Sequence, residues 1–282
     1  MQVLAPQRAP ATLQTAKQRQ RVARWLGLDV VVELPFNTDV SLLSPGAFVE
    51  HYLHRGLQPA SVVVGEDFRF GHRREGTIPL LRTMLAEASV PLEVVSKVLD
   101  ADGTKLGSSM VREHLRRGEV ELASAILGRP HCVEGRIVAG ARRGRRLGFP
   151  TANLESDGAM LPGGGVYAVH AQITAADHPS YGARFSAVAN IGTNPTFSDA
   201  ATASNGLEVH LLGAPSELSL YDHRLEVAFV ARIRDEKKFT GEAELVAQIG
   251  QDIARAESLL ATTKALPFAP PDIGDERGAP PP

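Results

Sequence analysis

The stretch from Gly135 to Leu154 holds the densest set of groups able to do chemistry: glycines at 140, 144 and 148, arginines at 142, 143, 145 and 146, then Phe149-Pro150-Thr151-Ala152-Asn153. Glycine lets backbone N–H groups approach an anion closely and guanidinium groups neutralise its charge, which is what a polyphosphate requires. The plainer reading is a solvated basic loop. If Thr151 and Asn153 stand on a strand they share one face, two residues apart. A hydroxyl and an amide oxygen are hard neutral ligands, suited to a magnesium ion that already carries nucleotide phosphates. Otherwise they are two polar residues on a wet face. Phosphoryl transfer to an alcohol also needs a base beside the hydroxyl. In Leu207-Glu208-Val209-His210-Leu211 the alternation puts three apolar residues on one face and Glu208 with His210 on the other. On the inner wall of a barrel Glu208 could accept a proton; on the outer wall it would simply be solvated. Spacing leaves both open.

Two kinds of texture must position these groups. From residue 28 to about 127, apolar runs alternate with helical stretches: strands are expected over Leu28–Leu34, Ala60–Val64 and Leu92–Val98, and helices over Pro45–Arg55, Ile78–Ala88 and Ser109–Arg117. Continuous apolar strands separated by helices point to a parallel α/β sheet covered on both faces. After Gly128-Arg129-Pro130 the segments shorten and alternate, over Val133–Val138, Val166–Ile173, Ser186–Ile191, Leu207–Leu212 and Arg224–Ile233. Such spacing suggests an antiparallel barrel or sandwich. A helix follows, its apolar positions Leu245, Ile249, Ile253, Ala256 and Leu260 recurring every three or four residues, with Thr240 able to cap it. The expected organisation is α/β over residues 1–127, mainly β over 128–264, and a disordered tail over 265–282, where six prolines leave too little apolar surface to fold.

Composition removes several alternatives. The chain has 282 residues, thirty Lys plus Arg against thirty-two Asp plus Glu, and a net charge of −2. It therefore lacks the global basic field that supplies non-specific nucleic-acid affinity, and any anion must be met locally. A single cysteine, Cys132, cannot form an internal disulfide, and a reducing cytosol is the simplest compartment. It reads as a small half-buried residue at a strand start. No apolar run approaches the roughly 18 residues that span a bilayer. Residues 1–28 are basic and acid-poor, but Val22, Trp25 and Leu26 mark one face of a surface helix closed by Gly27. No strand-like segment precedes that helix, as though an opening piece were absent.

In order along the chain stand Gly148-Phe149-Pro150-Thr151-Ala152-Asn153-Leu154, Gly165-Val166-Tyr167-Ala168, Ala189-Asn190-Ile191-Gly192-Thr193-Asn194-Pro195-Thr196-Phe197, Glu208-Val209-His210-Leu211 and Arg234-Asp235-Glu236-Lys237-Lys238-Phe239. Together they resemble the riboflavin kinase module of the bacterial bifunctional riboflavin kinase and FAD synthetase family, a small Greek-key barrel with a C-terminal helix. The resemblance implies that Thr151 and Asn153 meet the Mg2+ of Mg-ATP and that Glu208 deprotonates the terminal ribityl hydroxyl of riboflavin, yielding FMN and ADP. Gly140, Gly144, Arg145, Gly148 and Pro150 would lie over the nucleotide, and Asn190 and Arg234 would line the flavin region.

The first half is similar to the nucleotidylyltransferase module of the same family, a Rossmann-like domain. Val62-Val63-Val64-Gly65-Glu66-Asp67-Phe68-Arg69-Phe70-Gly71 resembles the segment after a central strand, which implies that Gly65, Asp67 and Phe68 belong to the adenylyl-transfer site. Ser108-Ser109-Met110-Val111-Arg112 resembles a Ser-Ser-Thr-x-Ile-Arg signature at a helix start, where Ser108, Ser109 and Arg112 would hold ATP phosphates, with Met110 standing for the usual threonine. Family members open with a strand and a histidine-containing nucleotide motif that this sequence does not show, so the domain reads as incomplete. The expectation is a kinase making FMN from riboflavin, with little FAD made from FMN. The competing class is a flavin-binding or sensing protein without turnover, against which Thr151, Asn153 and Glu208 together weigh. No nucleic-acid or membrane partner is expected.

Overall fold

The computed structural model describes residues 9–140, 143–192, 206–215 and 217–263, with the backbone alone at 143 and 145. The expected tail and the Thr193 to Phe197 part of one motif lie outside the described residues. The chain divides into two compact units, residues 1–10 with 32–106 and residues 11–31 with 107–282. Helix α1 (Ala16–Trp25) is part of the second.

In the first unit, α2 (Thr38–Leu42) is capped by the Asn37 side chain and α3 (Pro45–Phe48) by Ser44, with proline preset at its first turn. From Val49 to Leu57 the helix widens to π winding, ending where Gln58 N–H reaches back five residues to Leu53 O. Strand β1 (Val62–Gly65) passes through α4 (Ile78–Glu87) to β2 (Leu92–Val95), which pairs parallel with it. Val49, Phe70, Leu81 and Leu85 form the core, packed by Val62, Val64 and Leu92.

Two expectations fail in this region. Both strands alternate half-buried with exposed positions, so one face of the sheet is covered and not two. The strand expected over Leu28–Leu34 does not form; its backbone is irregular, with Val30 76% and Val32 65% exposed. Apolar, β-branched residues favour a strand only when a neighbour supplies the ladder, and among the described residues the sheet consists of β1 and β2 alone.

The second unit is a closed six-stranded antiparallel barrel flanked by helices. Its strands are β3 (His131–Val138), β4 (Ala152–Ser156), β5 (Gly165–Ile173), β6 (Arg184–Gly192), β7 (Gly206–Leu211) and β8 (Arg224–Arg234), in the order β3-β4-β7-β6-β5-β8. Alternate residues fill the interior, among them Ile137, Leu154, Tyr167, Val169, Ala189, Leu207, Val209 and Phe229. Helices α5 (Ser108–Arg117) and α6 (Val120–Leu127) add Val111, Leu115, Val120 and Ala123 to that core. A one-turn helix α7 (Arg143–Arg146) separates β3 from β4.

Helix α8 (Glu242–Thr262) lies on the outside of the barrel, where Ala168 and Ala231 are small enough to admit Ala256 and Leu260. Its N-cap is Gly241, not Thr240; the Thr240 N–H and hydroxyl both donate to the Glu244 carboxylate one turn on. Helix α1 also departs from expectation. Its buried residues are Gln18 and Arg21 rather than an apolar stripe, because the outer surface of β3 and β8 presents Glu134 and Glu226. Arg21 bonds both carboxylates, at 3.2 and 2.6 Å. Cys132 is half-buried at the start of β3, and burial pushes its thiol well above the ordinary range.

Candidate active site

Strand register builds the site. Asn153 of β4 lies opposite Glu208 of β7, and Glu208 lies opposite Asn190 of β6, so three polar side chains occupy neighbouring positions across three strands. The row continues through Val166 of β5 to Arg234 of β8. Leu207 and Val209 are buried in the barrel interior, which turns Glu208 to the outside. It is nevertheless not simply solvated. An outer-face cavity of about 330 Å³ encloses it together with Thr151, Asn153, Asn190, His210 and Arg234, closed by Phe149, Phe239 and the α8 residues Leu245, Ile249 and Ile253.

A second cavity of about 850 Å³ adjoins the first, lined by Gly140, Gly148, Pro150 and residues 212–215 and 217–221. The two share Phe149, Thr151, Asn153, His210 and Ile253 as a common wall. Glycine at 140 and 144 is a steric requirement of that wall. A Cβ at 140 would fall 2.0 Å from Asn153 Nδ2, and one at 144 would fall 2.4 Å from Phe149 O and 3.2 Å from Thr151 Oγ1. The loop thus lies directly on the two side chains that the sequence singles out. Gly148 adopts φ +88°, a conformation open to glycine. The Arg145 side chain lies outside the described residues.

Arg234 is held firmly. Its Nε and Nη2 bond the Asp252 carboxylate of α8 at 2.8–3.1 Å, its Nη1 donates to Asp235 O at 2.8 Å, and Gln248 donates to the same carboxylate at 3.0 Å. Asp252 is 4% exposed, so this pair ties the helix to the cavity wall. The sequence marks Phe149 only as the start of the Phe149–Asn153 motif and does not mark Asp252. The available signal was an acid inside the apolar stripe of Ile249, Ile253 and Ala256. The sequence places His210 only on the face it shares with Glu208; its ring meets that of Phe149 edge to face at 5.8 Å.

The oxygen donors fit a hard cation held jointly with a nucleotide: the Thr151 hydroxyl and the Asn153 amide oxygen line the wall that the two cavities share, and the Glu208 carboxylate lines the smaller one from the strand position paired with Asn153. Among the described residues no cluster of three or more His, Cys, Asp or Glu side chains could hold a metal. A cation here would draw its negative charge from bound phosphate. Among the same residues no helix is long and apolar enough to cross a membrane.

The remaining expected residues fall in both units. In the first, Gly65 ends β1, Phe68 stacks on Phe70 at 5.6 Å within the core, and Asp67 pairs with Lys105, which holds its carboxyl below the ordinary value. In the second, Ser108 and Ser109 open α5 after Gly107, which supplies no side-chain cap, and Arg112 donates to Ala11 O at 2.7 Å.

Comparison with known proteins divides the chain in sequence order, so that residues 11–31, which belong to the barrel unit, fall within the N-terminal match. Residues 127–260 match the riboflavin kinase family model and residues 1–110 the FAD synthetase model. The bifunctional riboflavin kinase/FMN adenylyltransferase of Pseudomonas fluorescens is 36% identical over 256 residues, covering 91% of this chain and 78% of that protein. The one from Escherichia coli (strain K12) is 33% identical over 264 residues, covering 94% and 80%. A crystal structure described as a macrolide-efflux protein from Streptococcus pneumoniae has the same fold, with TM-score 0.75 and 26% identity, covering 87% of this chain and 75% of that one. With identity above 30% over more than nine-tenths of this chain and more than three-quarters of each relative, the chain belongs to the bifunctional riboflavin kinase/FMN adenylyltransferase family.

Proposed function

We propose that this chain transfers the γ-phosphoryl group of ATP to the terminal ribityl hydroxyl of riboflavin, releasing FMN and ADP, at the junction of the two barrel cavities. The observation that carries this is the row Asn153–Glu208–Asn190, which lines the smaller cavity and reaches the wall shared with the larger one at Asn153. The smaller cavity has aromatic and aliphatic walls from Phe149, Val166, Val188, Phe239 and Leu245, suited to a flavin ring. The larger suits the nucleotide, with Gly140, Gly148 and Pro150 along its edge and Gly144 and Arg145 in the same loop. In this reading the kinase module is residues 128–264.

Glu208 accepts the proton of the terminal hydroxyl as that oxygen attacks the γ-phosphorus. Thr151 and Asn153 would hold Mg2+ by neutral oxygens, leaving the cation's charge for the phosphates. When bound, Mg2+ neutralises charge developing on the transferring phosphoryl oxygens. The wall closed by Leu245, Ile249 and Ile253 excludes water that would otherwise compete with the alcohol. Asn190 and Arg234 face the flavin side, Arg234 fixed there by Asp252. A reaction consuming ATP, and a single half-buried thiol, support a cytoplasmic setting.

Incubation of the purified protein with riboflavin and Mg-ATP, followed by chromatographic separation of the flavins, tests the reading through an FMN peak. The same chromatogram reads FMN adenylylation, the second activity in the relatives' names, through FAD. Glu208→Gln keeps the size of the side chain and removes the base, so kcat is expected to fall by about 10²- to 10⁴-fold while riboflavin still quenches on binding. A variant within a few-fold of wild type would rule out the base.

A further inference from the structure

The ladder between β4 and β7 pairs Leu154 with Leu207, Asn153 with Glu208 and Ala152 with Val209, and there it stops. One step further would bring Thr151 opposite His210. Beyond it, Pro150 has no N–H to offer a neighbouring strand. A side chain ties the chain down instead. His210 Nδ1 lies 2.7 Å from Pro150 O, and since a carbonyl oxygen only accepts, Nδ1 carries the hydrogen. The ring also stands edge-on to Phe149, at 85°.

Building on the kinase reading above, we infer that His210 is a positioning residue for phosphoryl transfer: its Nδ1–H clasps Pro150 and thereby fixes Thr151 relative to Glu208. Thr151 is pinned on one side by the last ladder pair at Ala152 and on the other by this clasp. His210 and Glu208 leave β7 on the same face, two residues apart, so the clasp sets the distance between the cation-binding hydroxyl and the base. It also holds the loop, because Gly144 closes over Phe149 O and Thr151 Oγ1. The ring lines both cavities, yet its bonded nitrogen points into the protein backbone and not into either.

Side-chain geometry supplies a discriminating test. Asparagine places an amide nitrogen where Nδ1 stands, whereas glutamine places one where Nε2 stands. His210→Asn therefore keeps the clasp, and His210→Gln and His210→Ala lose it. The bond is solvent-accessible and of ordinary strength, so losing it is expected to change kcat/KM for Mg-ATP by about tenfold. His210→Asn should stay within about threefold of wild type, the effect of a partly preserved bond. Calorimetric binding of Mg-ADP, without turnover, should follow the same order.

Backbone hydrogen exchange over residues 143–151 in the ligand-free protein reads the clasp independently of any activity: fast in the Gln and Ala variants, slow in wild type and Asn. If Asn behaves like Gln and Ala in exchange and in Mg-ADP binding, or if Gln behaves like wild type, the clasp is wrong. If exchange orders as expected but wild type makes no FMN, the clasp stands and the kinase reading falls.

Discussion

Gly140→Ala isolates the contribution of Asn153 without touching Asn153. The added Cβ would sit 2.0 Å from Asn153 Nδ2, 2.5 Å from its Cγ and 2.9 Å from its Oδ1, where ordinary contact begins at 3.4 Å. The amide must therefore withdraw by more than an ångström. It is the end of a rotatable side chain, and Gly140 has no positive φ that alanine would strain, so the backbone can stay where it is. Alanine also lowers the entropy of the unfolded chain, by about 0.4–1 kcal/mol, which offsets the cost of the displaced rotamer. Stability should be near wild type. Catalysis should not be. Removing one preorganised polar group from a transition-state site typically costs about 10²- to 10³-fold in rate, and the loss should fall on kcat and on KM for Mg-ATP rather than on riboflavin affinity.

Gly135→Ala is the matching control for steric damage of another kind. There the Cβ would meet Glu155 O at 2.0 Å and Glu155 C at 2.7 Å, the backbone of the paired strand, which cannot rotate away. That variant should lose the β3–β4 ladder and more than about 3 kcal/mol, as overpacking against backbone does. The assay is riboflavin phosphorylation against Mg-ATP concentration, with melting curves for both variants. Gly140→Ala within threefold of wild type at an unchanged melting temperature would show that the Asn153 amide is not needed where the structure puts it.

What the sequence could reveal follows from the range of the forces involved. The period of two in Leu207-Glu208-Val209-His210-Leu211 is local, so the sharing of a face by Glu208 and His210 was readable before any coordinates. What covers that face is not local. A cavity on the outer wall exists because α8, starting more than thirty residues later, lays Leu245, Ile249 and Ile253 across it. Glu208 thus stands on neither a catalytic inner wall nor a solvated outer one, but on an outer wall roofed by α8.

The docking of α1 was hidden for the same reason. Arg21 meets Glu134 and Glu226 across separations of 113 and 205 residues, and no helical periodicity reports such partners. Conversely, the apolar run at Leu28–Leu34 shows local preference without a result, since strand propensity is realised only in a ladder. The cap of α8 lies one residue beyond Thr240 because both Thr240 and Gly241 are admissible caps, and the Glu244 carboxylate decides between them by taking both Thr240 donors.

Two further outcomes follow from buried groups. Asp252→Ala leaves the half-buried Arg234 guanidinium without the carboxylate that accepts three of its contacts. Breaking a buried pair from one side costs about 3 kcal/mol, which for a domain of this size lowers the melting temperature by about 6–12 °C; an unchanged melting point would show that the pair is not what anchors α8. The second concerns pH. His131 is 1% exposed, donates its Nε2–H to Met160 O at 2.7 Å, and burial pulls its pKa from 6.5 down to about 4. Between those values the unfolded chain binds the proton more tightly than the folded one, so folding stability is complete above about pH 6.5 and drains away as pH falls toward 4. At about 1.4 kcal/mol per pH unit the loss approaches about 3 kcal/mol by pH 4. Denaturant titrations at pH 7 and pH 4.5 should therefore differ more in wild type than in His131→Gln, which keeps a polar partner for Met160 O and has no proton to gain. Equal pH dependence in the two proteins would mean that His131 is not the group that destabilises the barrel in acid.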